Sequence, residues 1–333
     1  MAVTAPTTTA PTPASAPTAA AGGDARILHA TGAGRTSGQN RLPLSKAALF
    51  LAPALLLYAL FLLYPIVQSL RYSLYDWNGL EPLGNFAGLD NFRRAFDDQL
   101  FRDALRHNVI IIVLSLLVQI PCALALAILL NVHLPGRAVL RTLFFAPYVL
   151  SEVVTGVVWR QILRPDGLFD QILDTVGMSG SVHEWLADPA IVLYSLFFVI
   201  SWKYFGFHMI LLLAGLQQIP RELSEAAALD GATGWQRFRF VTLPLLGPTL
   251  RVSIFLSIIG ALQLFDLVWV TTKGGPVGSS STMATYLYDQ FRRNLFGYAS
   301  AVSIVIFLLS LVIALLYQRL ALRRDLQGTG LVG

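Results

Sequence analysis

The chain has 333 residues, 55% of them hydrophobic and only 13% charged, with a mean hydropathy of +0.62. A soluble domain carries about 25% charged residues, so this composition excludes an ordinary water-soluble globule. The formal net charge of +5 is a matter of membrane topology, with no basic face for nucleic acid, and the lone Cys122 excludes an intrachain disulfide and a cysteine metal site.

Residues 1–42 are rich in Ala, Pro and Thr and lack apolar periodicity. Such a segment cannot bury a core and is expected to be a disordered cytoplasmic tail. It does not read as a cleavable signal peptide, because the first apolar run begins near Ala47 and is too long for one.

Six apolar runs follow, each near the ~20 residues that cross a bilayer: about 46–67, 109–130, 142–162, 190–216, 250–271 and 299–318. Each is expected to be a helix, since a lone strand leaves its backbone polar groups unsatisfied in hydrocarbon. The predicted fold is therefore all-α and integral to the membrane. A six-helix domain spans 43–325, and a short tail follows at 326–333. Pro53, Pro65, Pro121 and Pro147 fall inside spans, where each removes a donor and either kinks its helix or packs statically.

With both termini inside, the inner segments hold 13 Lys/Arg against 5 Asp/Glu, and the outer segments hold 10 against 12. The positive-inside rule favours that orientation. Outer loops then cover 71–106, 163–189 and 272–298. The second carries the turn signal Pro165-Asp166-Gly167, and the third opens with Gly274-Gly275-Pro276.

Residues 217–250 form a polar, basic inner segment between the fourth and fifth runs. Pro220 starts a short helix, with Glu222 and Glu225 near its positive end. Ala226, Ala227 and Ala228 favour helix, and Gly231 after Asp230 supplies a left-handed stop. Thr233 with Gln236 reads as a capping box for a second short helix that ends at Pro244. An alanine face suits docking into a groove, although a plain connector has the same composition.

This stretch resembles the EAA loop of binding-protein-dependent ABC importer permeases. The match lies at Glu225, Ala226, Ala227, Gly231, Leu243 and Pro244, with Val241 in place of the usual isoleucine. Asp230 falls inside the motif. The resemblance extends over about 43–325. It includes Gly206-Phe207, Leu213 to Gln217, Leu264-Phe265-Asp266, Gly274-Gly275-Pro276 and Gly297 to Ala301, which look like sugar permeases of the maltose and glycerol-phosphate types. Asp170 and Pro121 depart from residues common there.

The resemblance implies a type I ABC importer transmembrane domain in a prokaryotic plasma membrane. It implies that the loop is a coupling helix seated in an ATPase subunit. The implied partners are a second homologous permease chain, an ATPase dimer carrying ATP and Mg, and an external solute-binding protein. The cargo implied is a sugar, or alternatively glycerol phosphate or another polyol derivative.

The residues agree that this chain does not drive itself. A phosphate-cradling loop needs Gly-Lys-Ser/Thr. The three lysines, Lys46, Lys203 and Lys273, follow Ser45, Trp202 and Thr272. His183-Glu184 lacks the second histidine of a zinc protease. An integral-membrane hydrolase, the remaining alternative, would need an acid/base pair within the bilayer. No metal or cofactor site is expected in this chain.

A charge at the bilayer centre costs roughly 2.5–3.5 kcal/mol on insertion scales, so it faces a cavity or a partner. Asn108 and Gln119 mark the second span. Glu152 marks the third and Lys203 the fourth. In the fifth, Gln263 and Asp266 are three apart and are expected on one helical face. A sugar path needs hydroxyl-binding groups and aromatic faces. Gln263, Phe265, Asp266, Trp269, Trp202, Tyr204 and Glu152 supply them. Helix–helix hydrogen bonds, or an ion pair of Lys203 with Asp266, would use the same residues.

Overall fold

The computed structural model describes residues 44–132, 134–178 and 184–322. The expected tails, 1–42 and 326–333, and His183 lie outside the described residues. The chain forms two compact units, Met1–Pro53 and Ala54–Gly333. The described part of the first is the opening of helix α1.

The described residues are helical, with one isolated antiparallel bridge, Tyr75 to Phe86. The helices are α1 (Leu44–Tyr58), α2 (Tyr64–Tyr72), α3 (Asp90–Asp97), α4 (Gln99–Leu114), α5 (Ile120–Asn131), α6 (Arg137–Val149), α7 (Glu152–Ile162) and α8 (Leu168–Thr175). They continue with α9 (Val192–Gln217), α10 (Arg221–Leu229), α11 (Gly234–Arg237), α12 (Leu243–Leu245), α13 (Gly247–Leu262), α14 (Asp266–Thr271), α15 (Met283–Arg292) and α16 (Phe296–Tyr317).

Four continuous helical runs are long and apolar enough to cross a membrane: Phe50–Tyr72, Gln99–Asn131, Val192–Gln217 and Phe296–Leu320. Two more candidate spans are broken. Arg137–Val149 meets Glu152–Ile162 at 98°, and Gly234–Leu245 meets Gly247–Leu262 at 68°. The third run, expected as one helix over 142–162, is thus two helices around a corner. The fifth, expected over 250–271, ends as a helix at Leu262 and restarts at Asp266. Apolar composition reports burial in lipid or protein, and it does not report helix direction.

Three prolines do not bend their helices sharply. Wide π-helical turns at Ala59–Leu63, Ser115–Gln119 and Phe238–Thr242 each end two residues before Pro65, Pro121 or Pro244. The residue just before each proline donates five residues back: Tyr64 to the Ala59 carbonyl, Ile120 to Ser115 and Leu243 to Phe238. Proline lacks the N–H and crowds the carbonyl four residues earlier. Widening the preceding turn relieves both problems while the helix continues.

Gln99–Asn131 has 33 residues, about 50 Å at 1.5 Å per residue, so it outreaches the ~30 Å hydrocarbon core. Asp98 caps its start, its Oδ1 accepting from the Leu100 amide at 2.8 Å. Asp98 Oδ2 also accepts from the Tyr286 hydroxyl at 2.7 Å, and Tyr286 meets the Tyr298 hydroxyl at 2.9 Å. Burial first, then these bonds, hold the Tyr286 phenol well above its ordinary pKa.

The centre is α9, which is apolar all round and buried on most faces, as a core helix should be. It packs against α5, α6 and α13. Gly206 lets α6 approach, because a Cβ there would collide with the Phe144 carbonyl and come within 2.8 Å of the Phe145 Cα. Close backbone approach at small residues is how membrane helices gain packing contacts without a hydrophobic drive. Gly156 does the same for α7 against Val270 at the end of α14.

Candidate functional site

The apolar runs 142–162 and 250–271 break between α6 and α7 and between α13 and α14, and each break frees carbonyls that would be costly to leave unsatisfied in hydrocarbon. At the α6–α7 corner, Leu150 and Ser151 are extended, and Ser151 Oγ caps α7 by accepting from the Val154 amide at 3.2 Å. Two successive residues of α9 hold this corner. The Lys203 ammonium donates to the Leu150 carbonyl, and the Tyr204 hydroxyl donates to Glu152 Oε1. At the break between α13 and α14, Asn108 Nδ2 donates to the Ala261 carbonyl at 2.6 Å, and Thr282 Oγ1 donates to that of Leu264 at 2.7 Å. Asn108 Oδ1 also accepts from the Met283 amide at 2.9 Å. Polar residues from distant helices thus satisfy what each break exposes.

Both breaks border one cavity of about 350 Å³, within the range of small-molecule sites. Its polar lining includes Ser115, Gln119, Glu152, His208, Ser257, Gln263 and Asp266. Its aromatic lining is Tyr148, Tyr204, Phe207 and Phe265. Tyr148 stacks on Phe207 at 4.9 Å between ring centroids and meets Tyr204 edge-on at 6.0 Å. His208 Nδ1 is paired with Ser253 Oγ at 2.8 Å.

Of the residues expected on a path, Glu152, Tyr204, Gln263, Phe265 and Asp266 line this cavity. Trp202 does not. It lies edge-on to Trp159 at 5.3 Å and lines a separate apolar groove beside Cys122 and Phe198. Trp269 stacks on Phe265 at 5.9 Å and braces it, with Tyr288 edge-on at 4.7 Å. Gln263 and Asp266 do not share a helical face, because the helix breaks between them; both reach the cavity through that break. Lys203 is bonded to Leu150 and forms no ion pair with Asp266 among the described residues.

Sequence reading missed His208, Tyr148, Phe207, Ser115 and Ser257. A signal was present: Ile200, Tyr204 and His208 recur every four residues on α9, as do Ile111, Ser115 and Gln119 from α4 through the π turn that follows it. A polar stripe at that spacing within an apolar run marks a face turned from lipid.

The hairpin forms a second site. No residue of α10 is buried. Asp230 closes that helix, and Gly231 follows at φ +83°. The Ala232 amide bonds the Ala227 carbonyl at 2.9 Å, and Gly231 bonds that of Ala228 at 3.0 Å, a Schellman stop. Thr233 and Gln236 form the capping box. Pro244 does not end the second short helix; the π turn carries the chain through it to Leu245, and the bend follows at Leu246. Glu225, Ala226, Asp230, Gly231 and Pro244 are exposed, and Ala227 and Leu243 are half-buried. Leu229 is 90% exposed, and Trp235 and Phe240 are each 70% exposed. Such an apolar edge on a polar hairpin is unusual for a surface that meets only water.

Residues 108–325 match the family described as binding-protein-dependent transport system inner membrane component. The lactose transport system permease protein LacF of Rhizobium radiobacter is 38% identical over 80% of this chain and 91% of its own. The trehalose/maltose transport system permease protein MalF of Thermococcus litoralis is 33% identical over 83% and 94%. A crystal structure of a bacterial ABC transporter involved in importing the acidic polysaccharide alginate superposes with a TM-score of 0.73. It is 25% identical and covers 84% of this chain and 96% of that one. On the match and these identities, the chain belongs to the inner-membrane permease family of binding-protein-dependent ABC importers.

Proposed function

We propose that this chain forms one wall of the translocation path for a saccharide, and that the cavity at the two helix breaks is where the cargo passes. Membership in the family makes the chain a multi-pass membrane transport subunit rather than an enzyme. The observation that carries the cargo reading is the cavity itself. Hydroxyl-binding groups, Gln119, Glu152, His208, Gln263 and Asp266, sit beside aromatic faces. Sugar hydroxyls pair with carboxylates and amides, and sugar faces lie against aromatic rings. The cargoes named for LacF and MalF, lactose and trehalose/maltose, support the class.

The hairpin 217–250 is the second half of the proposal. With both termini cytoplasmic, it faces the cell interior and seats α10 in an ATPase subunit that holds ATP and Mg. Glu225, Ala226, Ala227, Asp230, Gly231, Leu243 and Pro244 shape that contact. A second permease chain completes the path, and an external solute-binding protein docks on the outer loops. ATPase closure draws the two hairpins together and turns the spans outward; hydrolysis resets them. Helix-in-groove docking gives a rigid hairpin the leverage this needs.

The test is purification from the native membrane, reconstitution in liposomes, and uptake of labelled saccharides with the binding protein outside and ATP inside. ATP-dependent uptake of a saccharide is expected. A purified complex that lacks an ATPase chain overturns the reading.

A further inference from the structure

The cargoes named among the relatives include neutral sugars and an acidic polysaccharide, so those names leave the charge of this chain's cargo open. The cavity does not. Two of its lining residues, Glu152 and Asp266, carry carboxyl groups, and among the described residues neither arginine nor lysine lines it. Lys203, behind the lining, is 2% exposed, donates its ammonium to the Leu150 carbonyl and interacts electrostatically with Glu152. Among the described residues His208 is the sole basic side chain in the lining, and its Nδ1 is paired with Ser253.

A second observation points to a ligand. Gln119 lines this cavity as well as the neighbouring apolar groove and is 3% exposed, yet its side-chain amide nitrogen has no hydrogen-bond partner among the described residues. A buried donor without an acceptor is costly, and a cargo hydroxyl would supply the acceptor. Donor and acceptors together describe a site for hydroxyl groups without a counter-charge for an anion.

We propose that this wall selects by charge: it passes uncharged or cationic saccharides and disfavours anionic ones, including uronates and phosphorylated polyols. Glu152 and Asp266 are the specificity-determining residues. In a site partly shielded from water, like charges repel far more than in bulk solvent. The inference rests on the cavity being the path, as proposed above, and it removes glycerol phosphate from the candidate cargoes.

The test uses the assembled importer in lipid discs, with Cys122→Ser to remove the native thiol and Gln263→Cys as the reporter. Its reaction rates with cationic and anionic methanethiosulfonate reagents are divided by those of free cysteine. The cationic reagent is expected to react at least tenfold faster than the anionic one. Glu152→Gln with Asp266→Asn should return the ratio to near one, and Glu152→Asp with Asp266→Glu should keep it. Comparing variants isolates this chain's contribution from that of its partner.

Equal rates in the parent, or a ratio unmoved by the double neutralisation, overturn the inference. So does a reporter that neither reagent reaches during ATP turnover. Protection of the reporter by maltose, trehalose or lactose is measured in parallel. A normal charge ratio without protection by any of them counts against the cargo reading and leaves the charged wall standing. Protection without a charge ratio does the reverse.

Discussion

Residues 220–245 hold their shape through bonds between near neighbours: Ala232 to Ala227, Gly231 to Ala228, Thr233 to Gln236. The cavity is held by bonds between distant residues. Asn108 reaches Ala261 across 153 positions and Met283 across 175, and Lys203 reaches Leu150 across 53. The hairpin is local, exposed and stiff; the cavity is non-local, buried and dependent on helices staying in register. The hairpin should therefore survive damage to the bundle, and the bundle should survive damage to the hairpin. Only transport requires both.

The largest break in this comparison comes from Gly206→Leu. Its side chain must push α6 off α9, costing on the order of 3 kcal/mol and separating Tyr148 from Tyr204. The melting temperature in detergent should fall sharply and uptake should vanish, while the hairpin keeps its hydrogen-exchange protection. An unchanged melting temperature would mean that the α6–α9 contact tolerates separation.

Next in size is Gly231→Pro. Proline fixes φ near −65°, whereas this position sits at +83°, so the Schellman stop is lost. Expression and melting temperature should hold, with uptake down at least tenfold and ATPase activity no longer stimulated by the binding protein. Glu225→Lys should give the same uncoupling with the hairpin intact. Normal uptake in either variant removes the coupling role.

Asp266→Ala acts on the other region. Losing a hydrogen bond to a charged group costs about 1.5–3 kcal/mol, which is roughly a 10- to 100-fold rise in the sugar concentration needed for half-maximal uptake. ATPase activity without cargo should stay at its parent level. Unchanged uptake kinetics would return Asp266 to a packing role. The smallest effect is expected of Thr233→Ala. It removes one cap worth about 1 kcal/mol, frays α11 by hydrogen exchange, and lowers uptake less than twofold.

The two regions differed in the same way in how far they could be read from sequence. Gly231, Thr233 and Gln236 announce the hairpin because capping and glycine stops act over three to five residues. Pro244 misled, because a π turn let the helix run through it. In the cavity, Glu152, Tyr204, Gln263, Phe265 and Asp266 drew notice as polar or aromatic residues in apolar runs. Trp202 and Trp269 drew the same notice, and one lines another groove while the other braces Phe265. Residue type alone does not report which way a side chain faces.

The sequence by itself determined the class of the molecule. Continuous apolar runs of bilayer length read as helices, since a lone strand in hydrocarbon leaves its backbone unsatisfied, and the hairpin between the fourth and fifth runs carries the family's motif. Only the tertiary structure decided that two of those runs break, and where. A break is stable only if a side chain from another helix meets the freed carbonyl, as Lys203 does for Leu150 and Asn108 for Ala261. Those pairings join residues far apart in the chain, and the site they create exists only once the helices have packed.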